Sequence, residues 1–349
     1  MAAKNTSTAR TAITITDRLD MLSLGRLLPL TLAGYTPAET VQYAAGGSRL
    51  QWLAEGALQV TPAAGLDCGL DLLLTAGVHG CEVIPIELLD RLVQAVAFGE
   101  IQPRARLLLI FCNAPAMRQG VRRVAHDLNR LFCGSHRQGS SDEHRRAAEL
   151  ESLVTRFFDD PERRRWHYDL HSAMRASRLP QFAVCPWVDG RAVSAQSLRR
   201  LEQAAVDAVL IQEKASSTFT AHTATRHAAE AFTLEMAEAP DGVWPESLEI
   251  FLQAARAWIE GEEHVAVTQS AKPLLKFRLS REIIKHSEAF VLRLAEDIEN
   301  FAPLPPGMLL AEDREGLQWF AREPQARILF PQAGVAIGER AGLIVVPRD

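Results

Sequence analysis

The residues of this chain best placed to do chemistry gather in LLLTAGVHGCEVIPIELLDRLVQAV, residues 72–96. His79 and Glu82 stand three positions apart in a short loop that also holds Gly77 and Gly80. Before the loop runs an apolar stretch, Leu72 to Leu74; after it Ile86, Leu89, Val93 and Val96 recur at helical spacing. Glycine lets a backbone turn sharply, and the carboxyl end of a strand is where open α/β sheets bind small molecules. A second histidine, His171, follows another strand-like segment in WHYDLHSAMR, residues 166–175. Two ligands close together and a third far along the chain is the pattern of a catalytic zinc site. Three protein ligands leave a fourth position for water, whereas a structural site is closed by four. The expected cofactor is one Zn2+ per subunit, held by His79, Glu82 and His171.

These ligands need a scaffold. Strands are expected at Leu72 to Leu74, Arg106 to Cys112, Trp166 to Leu170, Gln181 to Cys185, Ala208 to Gln212 and Ala231 to Met236. Helices are expected after Glu82 and over Ala147 to Phe158, Ser194 to Asp207 and Glu246 to Glu260. SRLQWLAEGALQVTP, from Ser48, reads as a hairpin turning near Glu55-Gly56, and the polar stretch 134–146 as an exposed loop. Strands alternating with helices indicate an α/β fold with a mainly parallel sheet and helices on both faces. After Gly261-Glu262-Glu263 the composition changes to short β-like runs, HVAVTQ and ARILFP, broken by APLPPG. The expected division is a tail and entry segment (1–47), a zinc-dependent catalytic α/β domain (48–262) and a smaller C-terminal β-rich domain (263–349).

Composition narrows the function classes. With 47% hydrophobic residues among 349, the chain can bury a sizeable core, and a net charge of −5 gives no global pull towards nucleic acid or anionic membranes. No uninterrupted apolar span is long enough for a transmembrane helix. The first twenty residues lack the apolar core of a signal peptide; they read as a disordered tail, with a transit peptide the lesser alternative. Five scattered cysteines without a CxxC pair argue for reduced thiols in the cytoplasm. Cys81, between two ligands, reads as a loop neighbour pointing away from them. No GxSxG is present, which removes a nucleophile-elbow serine hydrolase. The expected partner is a small anionic substrate, with no nucleic acid and no membrane; a homo-oligomer is allowed.

Four segments then stand out together: GVHGCE, NAPAMRQGVRRVAHDLNR, DLHSAMR and FTLEMAEA. In order and approximate spacing they resemble the succinylglutamate desuccinylase and aspartoacylase branch of the zinc carboxypeptidase-like family. The resemblance implies that family's mixed, mainly parallel sheet flanked by helices, and the same three metal ligands. It makes Glu235 the general base and acid, sets Arg122 facing the scissile carbonyl oxygen, and gives Asn129 and Arg130 the grip on a substrate carboxylate. Arg226, nine residues before Glu235, and Arg175 are offered as a second carboxylate clamp. The reaction implied is hydrolysis of N-succinylglutamate to succinate and glutamate, the last step of ammonia-releasing arginine breakdown. The alternatives are a hydrolase of another N-acyl amino acid and a metal-binding relative without catalysis; Glu235 and Arg122 argue against the latter.

Without the family, Arg118, Arg122, Arg123 and Arg130 would read as a solvated basic face, and Glu235 as a rim carboxylate. Asp169, two positions before His171, lies on the same strand face and suits an acceptor for that imidazole, as does Asp127 for a ligand histidine. Two departures matter. Cys81 stands where members more often carry Asn, and PQAGVAIGERAGL (331–343) lacks the late Tyr of aspartoacylases, which favours the desuccinylase side.

Overall fold

The structure, a computed structural model, describes residues 23–173, 175–237, 239, 242–263 and 272–348. The expected N-terminal tail and the HVAVTQ run therefore lie outside the described residues. Among the described residues, fifteen strands and seven α-helices follow in chain order. Helix α1 (Leu27–Ala33) precedes β1 (Val41–Tyr43), β2 (Arg49–Ala54), β3 (Ala57–Thr61) and β4 (Leu70–Ala76). Then come α2 (Val83–Phe98), β5 (Arg106–Phe111), α3 (Ala114–Gln119), α4 (Asp142–Phe157), β6 (Arg164–Ser172) and β7 (Phe182–Cys185). They are followed by α5 (Ala195–Gln203), β8 (Ala208–Ile211), α6 (Phe219–Arg226), β9 (Glu230–Met236) and α7 (Glu246–Ile259). The last strands are β10 (Leu275–Ile284), β11 (Val291–Leu292), β12 (Leu309–Glu312), β13 (Gln318–Phe320), β14 (Arg327–Leu329) and β15 (Arg340–Pro347).

Twelve strands form one sheet in the order β1-β2-β3-β5-β4-β6-β9-β7-β8-β10-β15-β14, and β11-β12-β13 form a small second one. The centre, β5-β4-β6-β9, is parallel, while the edge hairpins are antiparallel. The last strands continue that sheet: β10 pairs parallel with β8, and β15 antiparallel with β10. Among the described residues no helix is long and apolar enough to cross a membrane.

Period-two alternation gives the central strands two different faces. On one face Leu70, Leu72 and Leu74 of β4, Trp166, Tyr168 and Leu170 of β6, and Phe232 and Leu234 of β9 pack beneath α2 and α7. The expected apolar stripe of α2, Ile86, Leu89, Val93 and Val96, is buried in this core. On the other face Leu73 and Leu108 pack against Leu150, Val154 and Phe157 of α4 and Phe219 of α6. That face also carries the polar positions of the same strands: Thr75, His167, Asp169, His171 and Glu235.

One expectation fails locally. The stretch 134–146 is not an open loop to its end, because α4 starts at Asp142. Ser141 caps the helix by accepting the His144 N–H, and Asp142 and Glu143 sit at its positive end. Glu143 and His144 are buried.

Asp71, fully buried in β4, ties the amino ends of three central strands together. Arg106 of β5 grips both its oxygens (2.8 and 2.7 Å), and Arg163, just before β6, donates to Oδ1 at 2.6 Å. Removing the carboxylate leaves two guanidiniums facing each other at a buried position. Asp71→Ala is expected to cost about 3–5 kcal/mol, read from urea unfolding midpoints; a loss below about 1 kcal/mol would show the pairs to be ornamental.

Candidate active site

Strands β4, β6 and β9 run parallel and in register, so their carboxyl ends open on one edge of the sheet. From β4 the chain passes through the 77–82 loop into α2. Gly77 adopts a left-handed φ of 68° that a side chain would strain. Gly80 is needed for space: a Cβ there would overlap the Ala116 carbonyl and the Met117 N–H of α3. The loop is thus pressed against α3, and His79 and Glu82 are held with it.

His79, Glu82 and His171 come together, all buried, with ligand atoms within 4.8 Å of one another. Among the described residues this is the one group able to hold a metal ion. Glu82 lies between the imidazoles: Oε1 is 2.7 Å from His79 Nδ1, and Oε2 is 3.0 Å from His171 Nδ1. The far nitrogens are also engaged. His79 Nε2 is 3.1 Å from Asp127 Oδ1, and His171 Nε2 is 3.0 Å from Asp169 Oδ2. A carboxylate on Nε2 selects the tautomer whose Nδ1 lone pair faces inward. Two imidazole nitrogens and one carboxylate oxygen, each oriented from behind, fit an ion of the zinc type and leave a position open.

The electrostatics point the same way. Burial works to raise Glu82, but the His171 and His79 charges hold it down at about 2. Burial would lower His171, yet Asp169 and Glu82 push it well above its usual range. Glu82 and the His171 imidazole, which stabilise each other's charged forms, hold a proton where a divalent cation can replace it. Cys81 is a poor competitor as a ligand, since burial and the Glu82 charge raise its thiol.

Around this centre stand the other expected residues. Glu235 is the strand neighbour of His171 in the β6–β9 ladder, on the same face. Burial, and less so the Glu82 charge, push its carboxyl from 4.5 to about 7, against the lowering influence of His171. Arg122 leans over the triad, Nη1 3.6 Å from Glu82 Oε1 and Nη2 3.5 Å from Asp127 Oδ2. Asn129 is buried; its Oδ1 accepts the Phe219 N–H at 2.9 Å, which leaves its NH2 group to donate. Arg130 follows it, exposed at the rim.

Two expected clamp residues are elsewhere. Arg175 donates to the carbonyls of Glu296 and Ile298 (2.6 and 2.9 Å) and so fastens the segment after β6 to the C-terminal part of the chain. Arg226 is exposed at the end of α6, ahead of the first residue of β9. Glu235 lies five residues along that strand, about 17 Å away at ~3.3 Å per residue. A sequence offset of nine did not reveal that Arg226 ends the helix before β9 while Glu235 stands near the other end of that strand.

Two supporting residues escaped the sequence. Thr75 donates to Asp169 Oδ1 at 2.6 Å, completing a Thr75–Asp169–His171 relay; a lone hydroxyl in the apolar run LLLTA was its signal. Glu143 accepts the backbone N–H groups of Val124 and Ala125 (3.1 and 2.8 Å) and so pins the loop that carries Arg122 and Asp127. Of the other basic residues in that run, Arg118 binds Glu55 and the Thr31 carbonyl, and Arg123 approaches Glu339.

Comparison with known proteins gives a consistent result. The family described as succinylglutamate desuccinylase/aspartoacylase catalytic domain matches residues 68–260, and an AstE/AspA barrel-sandwich hybrid domain matches 272–348. The chain is 50% identical over 329 residues to a succinylglutamate desuccinylase of Pseudomonas aeruginosa, covering 94% of this chain and 99% of that one. It is 49% identical over 332 residues to a protein of the same name from Ectopseudomonas mendocina, covering 94% and 98%. Among solved structures, a succinylglutamate desuccinylase of Chromobacterium violaceum superposes with a TM-score of 0.80 at 33% identity, covering 93% and 98% of the two chains. One from Vibrio parahaemolyticus gives 0.83 at 29%, covering 92% and 94%.

The relay behind His171 can be tested without touching a ligand. Asp169→Asn keeps shape but weakens the acceptor, and zinc affinity measured by chelator competition should fall about 10–100-fold. Unchanged affinity would show that Asp169 does not orient the imidazole.

Proposed function

The chain belongs to the succinylglutamate desuccinylase/aspartoacylase family, and on that premise we propose that it hydrolyses the amide bond of N-succinylglutamate, releasing succinate and glutamate, with zinc as its resident ion. The observation that carries this reading is the juxtaposition of a buried two-histidine, one-carboxylate set with Glu235 on the neighbouring strand. A site for binding alone has no use for a desolvated acid beside its metal.

His79, Glu82 and His171 would hold the ion, which in such a site lowers the pKa of bound water to about 7 and polarises a carbonyl. The remaining work falls to the chain. Glu235 accepts a proton from the attacking water as its oxygen bonds to the succinyl carbonyl carbon. It returns that proton to the amide nitrogen as the C–N bond breaks, so the water oxygen ends in succinate and the nitrogen leaves as the glutamate amine. Arg122, held over the triad by Glu82 and Asp127, presents its guanidinium to the carbonyl oxygen as negative charge develops there. Asn129 and Arg130 bind a substrate carboxylate, the planar fork of Arg130 meeting it with paired hydrogen bonds.

Glu235→Gln keeps the shape of the site and removes its proton carrier. Zinc content and N-succinylglutamate binding should persist while kcat falls about 10²–10⁴-fold. The base must be ionised to act, so a raised pKa means activity is lost as pH falls through it. In the wild type kcat/KM should therefore rise with pH on a limb between the ordinary 4.5 and about 7, since a bound cation shifts the midpoint down as His171 does. Near-normal turnover in the zinc-loaded variant, or an unchanged acid limb, would assign the base elsewhere.

Substrate choice follows from unpaired charge. Replacing succinyl by acetyl deletes a carboxylate and leaves its partner unsatisfied, whereas replacing glutamate by aspartate removes one methylene, worth about 10–200-fold. The expected order of catalytic efficiency is N-succinylglutamate, then N-succinylaspartate, then N-acetylaspartate. A purified enzyme preferring N-acetylaspartate would leave only the wider N-acyl amino acid hydrolase class standing.

A further inference from the structure

One buried titratable group near the metal ligands has no part in the proton transfers. His167 of β6 is fully buried, on the same strand face as Asp169 and His171. Both its ring nitrogens are engaged: Nε2 lies 3.0 Å from Thr75 Oγ1, and Nδ1 lies 2.8 Å from Thr223 Oγ1 of α6. We infer that His167 is a positioning residue for the metal centre, setting the direction of a buried hydrogen-bond chain that runs from α6 to the ligand His171. This inference rests on the zinc reading above and extends it from the ligands to what holds them.

A hydroxyl has one hydrogen to give, and this decides the order of the chain. The Asp169 carboxylate, held below its usual range by His171, can only accept, so the Thr75 hydrogen goes to its Oδ1 at 2.6 Å. The Thr75 oxygen must then receive its own hydrogen from His167 Nε2, whatever the charge of the ring. Burial lowers the His167 pKa to about 4 against the Asp169 charge, so at neutral pH the ring carries that one hydrogen only. Nδ1 is therefore a bare lone pair, and the Thr223 hydroxyl meets it at 2.8 Å, closer than the Thr220 carbonyl at 3.1 Å. Every donor points the same way: Thr223 to His167, His167 to Thr75, Thr75 to Asp169. From the other side Asp169 Oδ2 accepts the His171 Nε2–H at 3.0 Å, which leaves His171 Nδ1 to face the ion.

The chain is clamped as well as directed. The His167 ring stands edge-on to Phe219, centroids 5.0 Å apart, and Phe219 stacks on Phe132. The Phe219 N–H is also the group that Asn129 Oδ1 accepts, so α6 meets both Asn129 and the first acceptor of the chain. For packing alone a phenyl ring would serve at this depth, without polar atoms to satisfy. Without His167 the Thr75 oxygen loses its donor and the hydroxyl is free to turn from Asp169. The carboxylate that orients His171 is then held by one partner fewer.

The test uses the full-length protein and zinc. In the zinc-loaded wild type, nitrogen-15 NMR of labelled histidine should show His167 as the neutral Nε2–H tautomer at neutral pH. His167→Phe keeps a ring and removes both nitrogens, and zinc affinity measured by chelator competition should fall about 10-fold, the lower end for an outer partner of a ligand. In an Asp169→Asn background the same change should cost less than about 3-fold, because members of one hydrogen-bonded chain do not add. His167→Gln, whose amide donates where Nε2 does, should restore most of the affinity. A merely structural histidine would instead lower the urea midpoint and add in full to Asp169→Asn. If His167→Phe does not fold, Thr223→Val takes its place in the cycle with the same pattern expected, since it removes the donor to Nδ1 and leaves the ring. An Nδ1–H ring, unchanged zinc affinity, full additivity, or a His167→Gln variant as weak as His167→Phe would overturn the assignment of His167. Wild-type protein that binds no zinc would instead refute the zinc reading and take this inference with it.

Discussion

A carboxylate held between two imidazoles inside the protein is the constraint on which the rest of this structure depends. Burying the Glu82 charge would be costly without opposite charge within reach. His79 and His171 meet it from two sides, and Asp127 and Asp169 meet them from behind. Each of these groups must arrive from a different part of the chain at the same point. Parallel, in-register pairing of β4, β6 and β9 achieves this, because it aligns three strand ends along one edge. The apolar face of those strands then packs α2 and α7, so burial of hydrophobic surface stabilises what the polar face needs.

Charge is layered across the site. The floor is acidic, with Glu82 between the two histidines and Asp127 and Asp169 behind them, and above it stand the basic Arg122 and Arg130. A net charge of −5 for the whole chain conceals this arrangement. The floor attracts a cation and the rim attracts an anion, so the two ligands are drawn to different depths by fields of opposite sign. Glu235 stands at the boundary. It is half-buried and lacks the close cationic partner that keeps Glu82 ionised, so its carboxyl rises where theirs falls.

Much of this was legible from residue types and spacing. The sequence singled out His79, Glu82 and His171, which the fold does bring together as a group that could hold a metal ion, and β4, α2, β5 and α7 showed through their clean apolar periods. The family resemblance added Glu235 and Arg122, which periodicity alone could not have ranked. What stayed hidden shares a physical cause. The start of α4 lies in a polar stretch where a cap and helix-end charges, rather than an apolar period, decide the structure. β10 carries Lys276, Arg278, Arg281 and Glu282, which break up the apolar pattern of a strand. Arg175 and Arg226 have the right chemistry and the wrong addresses. A guanidinium on a flexible stem can serve a ligand or a backbone carbonyl equally well, and only the path of the chain decides which.

The continuous ladder from β8 through β10 to β15 has a consequence for how such an enzyme changes over generations. The turn at 332–339 is largely exposed, joins the paired strands β14 and β15, and faces Arg123 through Glu339 at 3.9 Å. Insertions and replacements in such a turn are tolerated by the scaffold, and they fall on a different stretch of the sheet from the strand ends that carry His171 and Glu235. The turn and the candidate site can therefore vary apart from each other, although one sheet carries both.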